Sequence, residues 1–98
     1  MSGNFAQFLR EDMRLVILRV LATMPSYTAN SSVLHGALTQ VGHNPSRDQI
    51  KTEIRWLEEQ GLLTVEPVYD LLVARITERG ADVVAARIVV PGVKKPGA

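Results

Sequence analysis

Apolar residues recur every three or four positions over the first quarter of the chain. The repeat runs from Phe5 to Met24 and predicts a long amphipathic helix that ends before Pro25. Leu15 and Leu18 lie beside the main apolar stripe and widen it. Two explanations stay open at this point. Either the helix is buried on two sides within the monomer, or its surplus apolar surface contacts a second subunit.

A second helix with the same periodicity is predicted to end at about Val41. Its beginning is marked by Asn30, Ser31 and Ser32, whose side chains can all cap a helix N-terminus. Gly42 is the residue type expected just after a helix ends. The polar residues that follow have the composition of a turn.

The third predicted helix has a well-marked start. Ser46-Arg-Asp-Gln49 has the form of a capping box, in which the serine hydroxyl and the glutamine side chain each bind a free backbone N–H. The helix continues to Gln60, and Gly61 ends it. The second helix, the turn and the third helix together have the lengths of a helix-turn-helix.

After Gly61 the pattern changes from helical to extended. Two short runs with β-branched residues, Leu62–Glu66 and Leu71–Ile76, are separated by Pro67–Asp70 and predict a β-hairpin. Thr77 then offers a cap for a last helix.

The predicted fold is therefore mainly α with a small β-hairpin, a winged helix-turn-helix in the order α-α-α-β-β-α. The last helix is predicted to reach about Ile88, so we place the winged-helix domain over residues 1–88. Residues 89–98 contain prolines and glycines that prevent a regular helix, and we expect a partly ordered C-terminal tail.

Composition limits the classes of function. The chain has 98 residues, no cysteine and a formal net charge of +1. The absence of cysteine excludes disulfides, cysteine zinc sites and thiol catalysis, and it fits a reducing cytoplasm. No apolar run is long enough to span a membrane, and we expect no signal peptide. Because the net charge is small, DNA binding must depend on where the charges lie.

Two segments carry a resemblance to a known class of protein. Ile54-Arg-Trp-Leu-Glu-Glu-Gln-Gly-Leu-Leu63 and Ile76-Thr-Glu-Arg-Gly80 resemble winged-helix transcriptional regulators of the ArsR/MarR/PadR kind. In those families the first segment anchors the recognition helix and Thr-x-x-Gly opens the helix after the wing. The resemblance implies a DNA-binding homodimer. The closing Val90–Pro96 segment also resembles the tail of small winged-helix proteins of Mu-like prophages.

Two features depart from the regulator pattern. Metal-sensing members use clusters of cysteine, histidine or carboxylate, whereas His35 and His43 stand apart here, so we expect no metal site. Many DNA-binding wings carry arginine or lysine at the tip, whereas Pro67–Asp70 is apolar and acidic and follows Glu66. We therefore expect the hairpin to make no strong DNA contact.

The third predicted helix offers a candidate surface for double-stranded DNA. Its period turns Ile50, Ile54 and Leu57 toward the core and leaves a basic stripe beside them, formed by Arg47, Lys51 and Arg55. Arginine, lysine, glutamine and threonine can contact bases and phosphates in the major groove. The candidate DNA-binding residues are Ser46, Arg47, Gln49, Lys51, Thr52 and Arg55. The alternative is a solvated helix face whose basic charges are neutralised by Glu53, Glu58 and Glu59.

The surplus apolar surface of the first helix predicts a homodimer. The candidate interface residues are Phe5, Phe8, Leu15 and Leu18. Trp56 is predicted to lie away from the core and to pack against a partner's first helix or against the C-terminal segment. No catalytic arrangement or cofactor motif is found, so we predict a protein that is not an enzyme. The alternative to DNA binding is a winged-helix module for protein–protein interaction.

Overall fold

Four α-helices and a three-stranded antiparallel sheet make up the part of the chain that the computed structural model describes, residues 2–97. In chain order the elements are α1 (Ser2–Thr23), a short 3-10 turn (Pro25–Tyr27), β1 (Thr28–Asn30), α2 (Ser31–Gln40), α3 (Arg47–Glu59), β2 (Leu63–Val68), β3 (Leu71–Ile76) and α4 (Glu78–Val84). The chain is thus a small α+β protein that is mainly helical.

The strand β1 is absent from the sequence prediction, in which Asn30 appears only as a possible helix cap. The sheet order is β1-β3-β2, so the predicted β2–β3 hairpin gains a third strand on its β3 side. Ala29 pairs with Ala74, and Ala29 is buried. A strand of three residues is too short to show an alternating pattern, and it forms here because the free edge of β3 offers backbone partners.

The helices α2, α3 and α4 are capped by side chains that the sequence predicts as caps. The side chain of Asn30 accepts a hydrogen bond from the N–H of Val33, and Ser46 Oγ accepts one from Gln49 N–H at 3.0 Å. Among the hydrogen bonds of residues 2–97, only this serine half of the predicted capping box is found. Thr77 caps α4, which ends at Val84 rather than at the predicted Ile88.

The core lies between α1, α3 and the sheet. Leu15 and Leu18 are 1% and 0% exposed, so their predicted role in a dimer interface is wrong. Both are covered within the chain because α2 and α3 as well as α4 and β3 pack around α1. For these leucines the first explanation holds: the helix is buried on two sides. Phe5 and Phe8, nearer the start of α1, are exposed.

The C-terminal segment, residues 88–97, packs against the helices. Val90 and Val93 are buried, and the N–H of Lys94 donates to the carbonyl oxygen of Glu11 on α1 at 3.2 Å. The sequence predicted a partly ordered tail. The structure differs because two valines three residues apart provide apolar contacts that prolines and glycines do not prevent. None of the helices within residues 2–97 has the length and apolar character needed to cross a membrane.

Candidate nucleic-acid interface

The helix α3 turns its apolar side chains inward as the sequence predicts. Ile50, Ile54 and Leu57 are at most 1% exposed, and they contribute to the core. Arg47 and Arg55 are exposed on the other side of the helix. The predicted basic stripe therefore begins at a well-capped helix start and faces solvent.

Glu53 does not belong to that stripe. Its side chain is 3% exposed, and its Oε1 atom lies 2.7 Å from Nε of Arg14 on α1. The same guanidinium lies 3.8 Å from the ring centroid of Trp56 and donates from Nη1 to the carbonyl oxygen of Gly92 at 2.9 Å. One of the three carboxylates predicted to neutralise the basic stripe is thus bound inside the protein. Spacing could have revealed this, since Glu53 is three residues after Ile50 on the apolar side.

The surface of the C-terminal half of α3 carries one cation and two carboxylates, a net negative charge. Arg55 Nη1 lies 2.9 Å from Oε1 of Glu58, and Glu59 is exposed one residue further on. Exposed pairs of this kind contribute little to stability, but they reduce the positive potential of the surface. In this half of the helix, carboxylates therefore offset the basic charge, as the alternative prediction states.

The N-terminal half borders a small polar cleft of about 90 Å³ between α2, α3 and the hairpin tip. Its polar lining side chains are those of Ser31, Ser32, His35, Arg47, Lys51 and Asp70. Lys51 Nζ donates to the backbone carbonyl oxygen of Asp70, which brings the hairpin tip next to the helix. Arg47 and Lys51 therefore share the cleft with the acidic Asp70, and the Ser31 hydroxyl and the His35 ring in its lining already contact backbone groups.

The remaining predicted residues have different surroundings. Ser46 is occupied as the helix cap, and Thr52 Oγ1 donates to the carbonyl oxygen of Asp48 at 3.0 Å. Gln49 lies on the side that faces α1, where it lines a groove with Leu9 and Met13. The helical wheel therefore grouped Gln49 with the solvent-facing residues wrongly.

Trp56 packs against the C-terminal segment of its own chain, which was one of the predicted arrangements, but it also packs against the core, so its predicted position away from the core is wrong. The indole ring is covered by Arg14 on one face, and a Cβ atom added at Gly92 would lie 2.6 Å from it. Gly92 has φ +98°, so this close approach needs both the missing side chain and the left-handed backbone. The tryptophan is thus a structural contact rather than an exposed ligand group.

A second charged cluster joins three parts of the chain. Asp12 on α1 lies 2.7 Å from Nε2 of His43 and 3.2 Å from Nζ of Lys94. Burial by itself would raise the pKa of Asp12, but the hydrogen bonds from His43 and Lys94 lower it more, so the pKa lies below its ordinary value. His35 Nε2 is 2.9 Å from the carbonyl oxygen of Pro45. Within the described part of the chain, no group of three or more histidines or carboxylates is arranged to hold a metal ion.

Comparison with known proteins relates the chain to a phage protein and a bacterial protein. No family model matches the chain. It is 48% identical over 88 residues to the uncharacterized protein gp26 of Escherichia phage Mu, covering 90% of this chain and 91% of that protein. It is 47% identical over 77 residues to an uncharacterized protein of Haemophilus influenzae, covering 78% and 74%. The predicted relationship to small proteins of Mu-like phages is confirmed, and the chain belongs to the family of phage Mu gp26.

Proposed function

We propose that this chain is a winged-helix protein that binds double-stranded DNA with the N-terminal half of α3. The order α1-β1-α2-α3-β2-β3-α4 supports this, with α2 and α3 as the helix-turn-helix and the β2–β3 hairpin as the wing. By the same resemblance, the DNA-binding protein would act as a transcriptional regulator.

The observation that carries the proposal is the inward rotation of Glu53. Because Arg14 holds this carboxylate in the core, Arg47 and Lys51 border the cleft without it, and Asp70 is the acidic residue in the lining. Glu58 lies eleven residues after Arg47, which is about 16 Å along a helix. That distance exceeds the screening length of about 8 Å at physiological salt, so Glu58 and Glu59 hardly reduce the potential at the helix start.

The chemistry of this half suits a duplex. In helix-turn-helix proteins the first residues of the recognition helix reach base edges in the major groove. Arg47 has the donor geometry to bind guanine through two hydrogen bonds, and Lys51 can neutralise a phosphate. Asp48 is a carboxylate in the same turn, so we expect weak affinity that depends strongly on salt.

The test is a fluorescence-anisotropy titration of duplex DNA at about 50 and about 200 mM salt. The Arg47→Ala/Lys51→Ala variant is compared with Arg19→Ala/Arg75→Ala, which removes the same charge from exposed positions outside the cleft. We expect the first variant to bind about tenfold more weakly or worse and the control to bind like wild type. Equal losses in both variants, or no binding by wild type at the lower salt, would overturn the proposal.

A second candidate function is protein–protein interaction, and the hairpin tip favours it. Tyr69 is 99% exposed, and Val68 beside it is 39% exposed. Glu66 and Asp70 are exposed next to them. Carboxylates at this position repel phosphates, whereas an exposed aromatic ring is typical of a contact with another protein.

A further inference from the structure

We propose that the tip of the β2–β3 hairpin docks into a cavity at the C-terminal segment of a second copy of this chain. The contact is head-to-tail, since the two surfaces that meet are different. It does not depend on DNA binding, and it identifies the partner of the hairpin tip.

The tip combines an unfavourable backbone conformation with nearly complete exposure, whereas Tyr27, which has the same φ, is 53% exposed. Tyr69 is the first of the two residues that connect β2 to β3, and its φ is +56°. This region of backbone conformation favours glycine or asparagine in short hairpin turns, and bulky residues rarely adopt it. A tyrosine that is 99% exposed gains no burial in return. A contact with another molecule would supply that burial.

The acceptor is a cavity of about 220 Å³ between the end of α4 and the C-terminal segment. Its apolar walls include Val83, Ile88, Val89, Val90 and Val93. Engineered apolar cavities of about 150 Å³ bind benzene, so this one has room for the phenol ring of a tyrosine.

The charges around the two surfaces are complementary. Glu66 and Asp70 flank the tip, and both are exposed. Lys94 and Lys95 line the cavity. Lys95 is exposed, whereas Lys94 already forms an ion pair with Asp12. Opposite charges at the edge of an apolar contact fix its orientation and favour one partner over others.

The tip does not occupy the cavity of its own chain. Tyr69 is 99% exposed, and neither Tyr69 nor Asp70 is among the residues that line the cavity. Each strand of the hairpin has six residues, so the tip lies about 20 Å from the end of β3, two residues before α4 begins. A second copy supplies both surfaces, and a contact between two different surfaces can repeat to form a ring or an open chain.

The test uses two variants with complementary defects. Tyr69→Ser removes the phenol ring of the tip but keeps the cavity. Val89→Asp places a charge at an exposed edge of the cavity but keeps the tip. Circular dichroism establishes that each variant folds, and sedimentation velocity with multi-angle light scattering gives the mass. Tyr27→Ser is the matched control, because Tyr27 is also an exposed tyrosine with φ +56°.

We expect wild type and Tyr27→Ser to increase in mass with concentration, and each of the other two variants to stay monomeric. An equimolar mixture of these two should form a heterodimer and nothing larger, because only one intact tip and one intact cavity remain to meet. A wild-type protein that stays monomeric, or a mixture that does not associate, would overturn the proposal. It would also be overturned if Phe5→Ser/Phe8→Ser abolished association while Tyr69→Ser did not, since this would indicate pairing through α1.

Discussion

Arg14 and Glu53 form a nearly buried ion pair that joins α1 to α3, with Nε 2.7 Å from Oε1. Arg14 also contacts the ring of Trp56 and the carbonyl oxygen of Gly92, so a single guanidinium satisfies acceptors on two elements. Buried ion pairs contribute little net stability compared with apolar residues of similar size, but losing one partner leaves a buried charge without compensation. The position of the basic stripe on α3 thus depends on a residue outside the helix.

Substituting Glu53 should therefore destabilise the fold strongly. We expect Glu53→Ala to lower the free energy of unfolding by about 3 kcal/mol or more, because Arg14 would keep a buried charge. Urea denaturation followed by Trp56 fluorescence measures this. Glu59→Ala is the control, since Glu59 is exposed and its loss should change stability by less than about 0.5 kcal/mol. Similar effects of the two substitutions would contradict the structural role of the pair.

The Asp12 cluster predicts a stability contribution that disappears in acid. Because the pKa of Asp12 in the folded state lies below its ordinary value of about 3.9, the folded state favours the charged carboxylate. This contribution is present above the ordinary pKa and is lost as the pH falls through the lowered value. We expect Asp12→Asn to be less stable than wild type at neutral pH and the difference to shrink in strong acid. Chemical denaturation at a series of pH values checks this, and a constant difference would disagree with it.

Substitution of Gly92 is expected to displace the C-terminal segment from Trp56. An alanine there would place its Cβ 2.6 Å from the Trp56 ring, in a backbone conformation with φ +98°. We expect Gly92→Ala to move the segment from the ring, to change the fluorescence of the single tryptophan and to cost about 1–3 kcal/mol. Gly97→Ala is matched to it, because Gly97 also has positive φ but its added Cβ meets nothing within 4 Å. If both variants had the same spectrum, the packing of Trp56 on this segment would be in doubt.

Two substitutions of Ser46 distinguish its role as a helix cap from a role in DNA binding. Its hydroxyl caps α3, so Ser46→Ala should lower stability by about 1 kcal/mol, whereas Ser46→Asp keeps the capping group. A carboxylate at this position would repel a phosphate. We therefore expect Ser46→Asp to retain stability but to weaken duplex binding in the anisotropy titration. Unchanged DNA binding by the stable aspartate variant would place the DNA contact elsewhere.

Local signals in the sequence were sufficient to predict most helices and the hairpin. Asn30, Ser46 and Thr77 act through hydrogen bonds to residues three positions away, so their pattern is readable without a structure. The strand β1 was not predictable in this way, because it exists only through pairing with β3, more than forty residues later in the chain.

The candidate site was harder to predict because its charges depend on distant partners. Glu53 looks like a neighbour of Lys51 in the sequence, but its partner is Arg14, 39 positions earlier. Leu15 and Leu18 looked like surplus apolar surface because the helices and the strand that pack around α1 come from later parts of the chain. Helical periodicity shows which residues lie on one face, but it does not show what covers that face.

The contacts of Arg14 have a thermodynamic consequence for binding. The C-terminal segment and α3 share this one side chain, through Gly92 and through Glu53. A ligand that reorients α3 would therefore strain the contact that holds the segment, and any such coupling acts equally in both directions. We expect binding at α3 to change the protection of the segment from proteases, because both depend on the same guanidinium group.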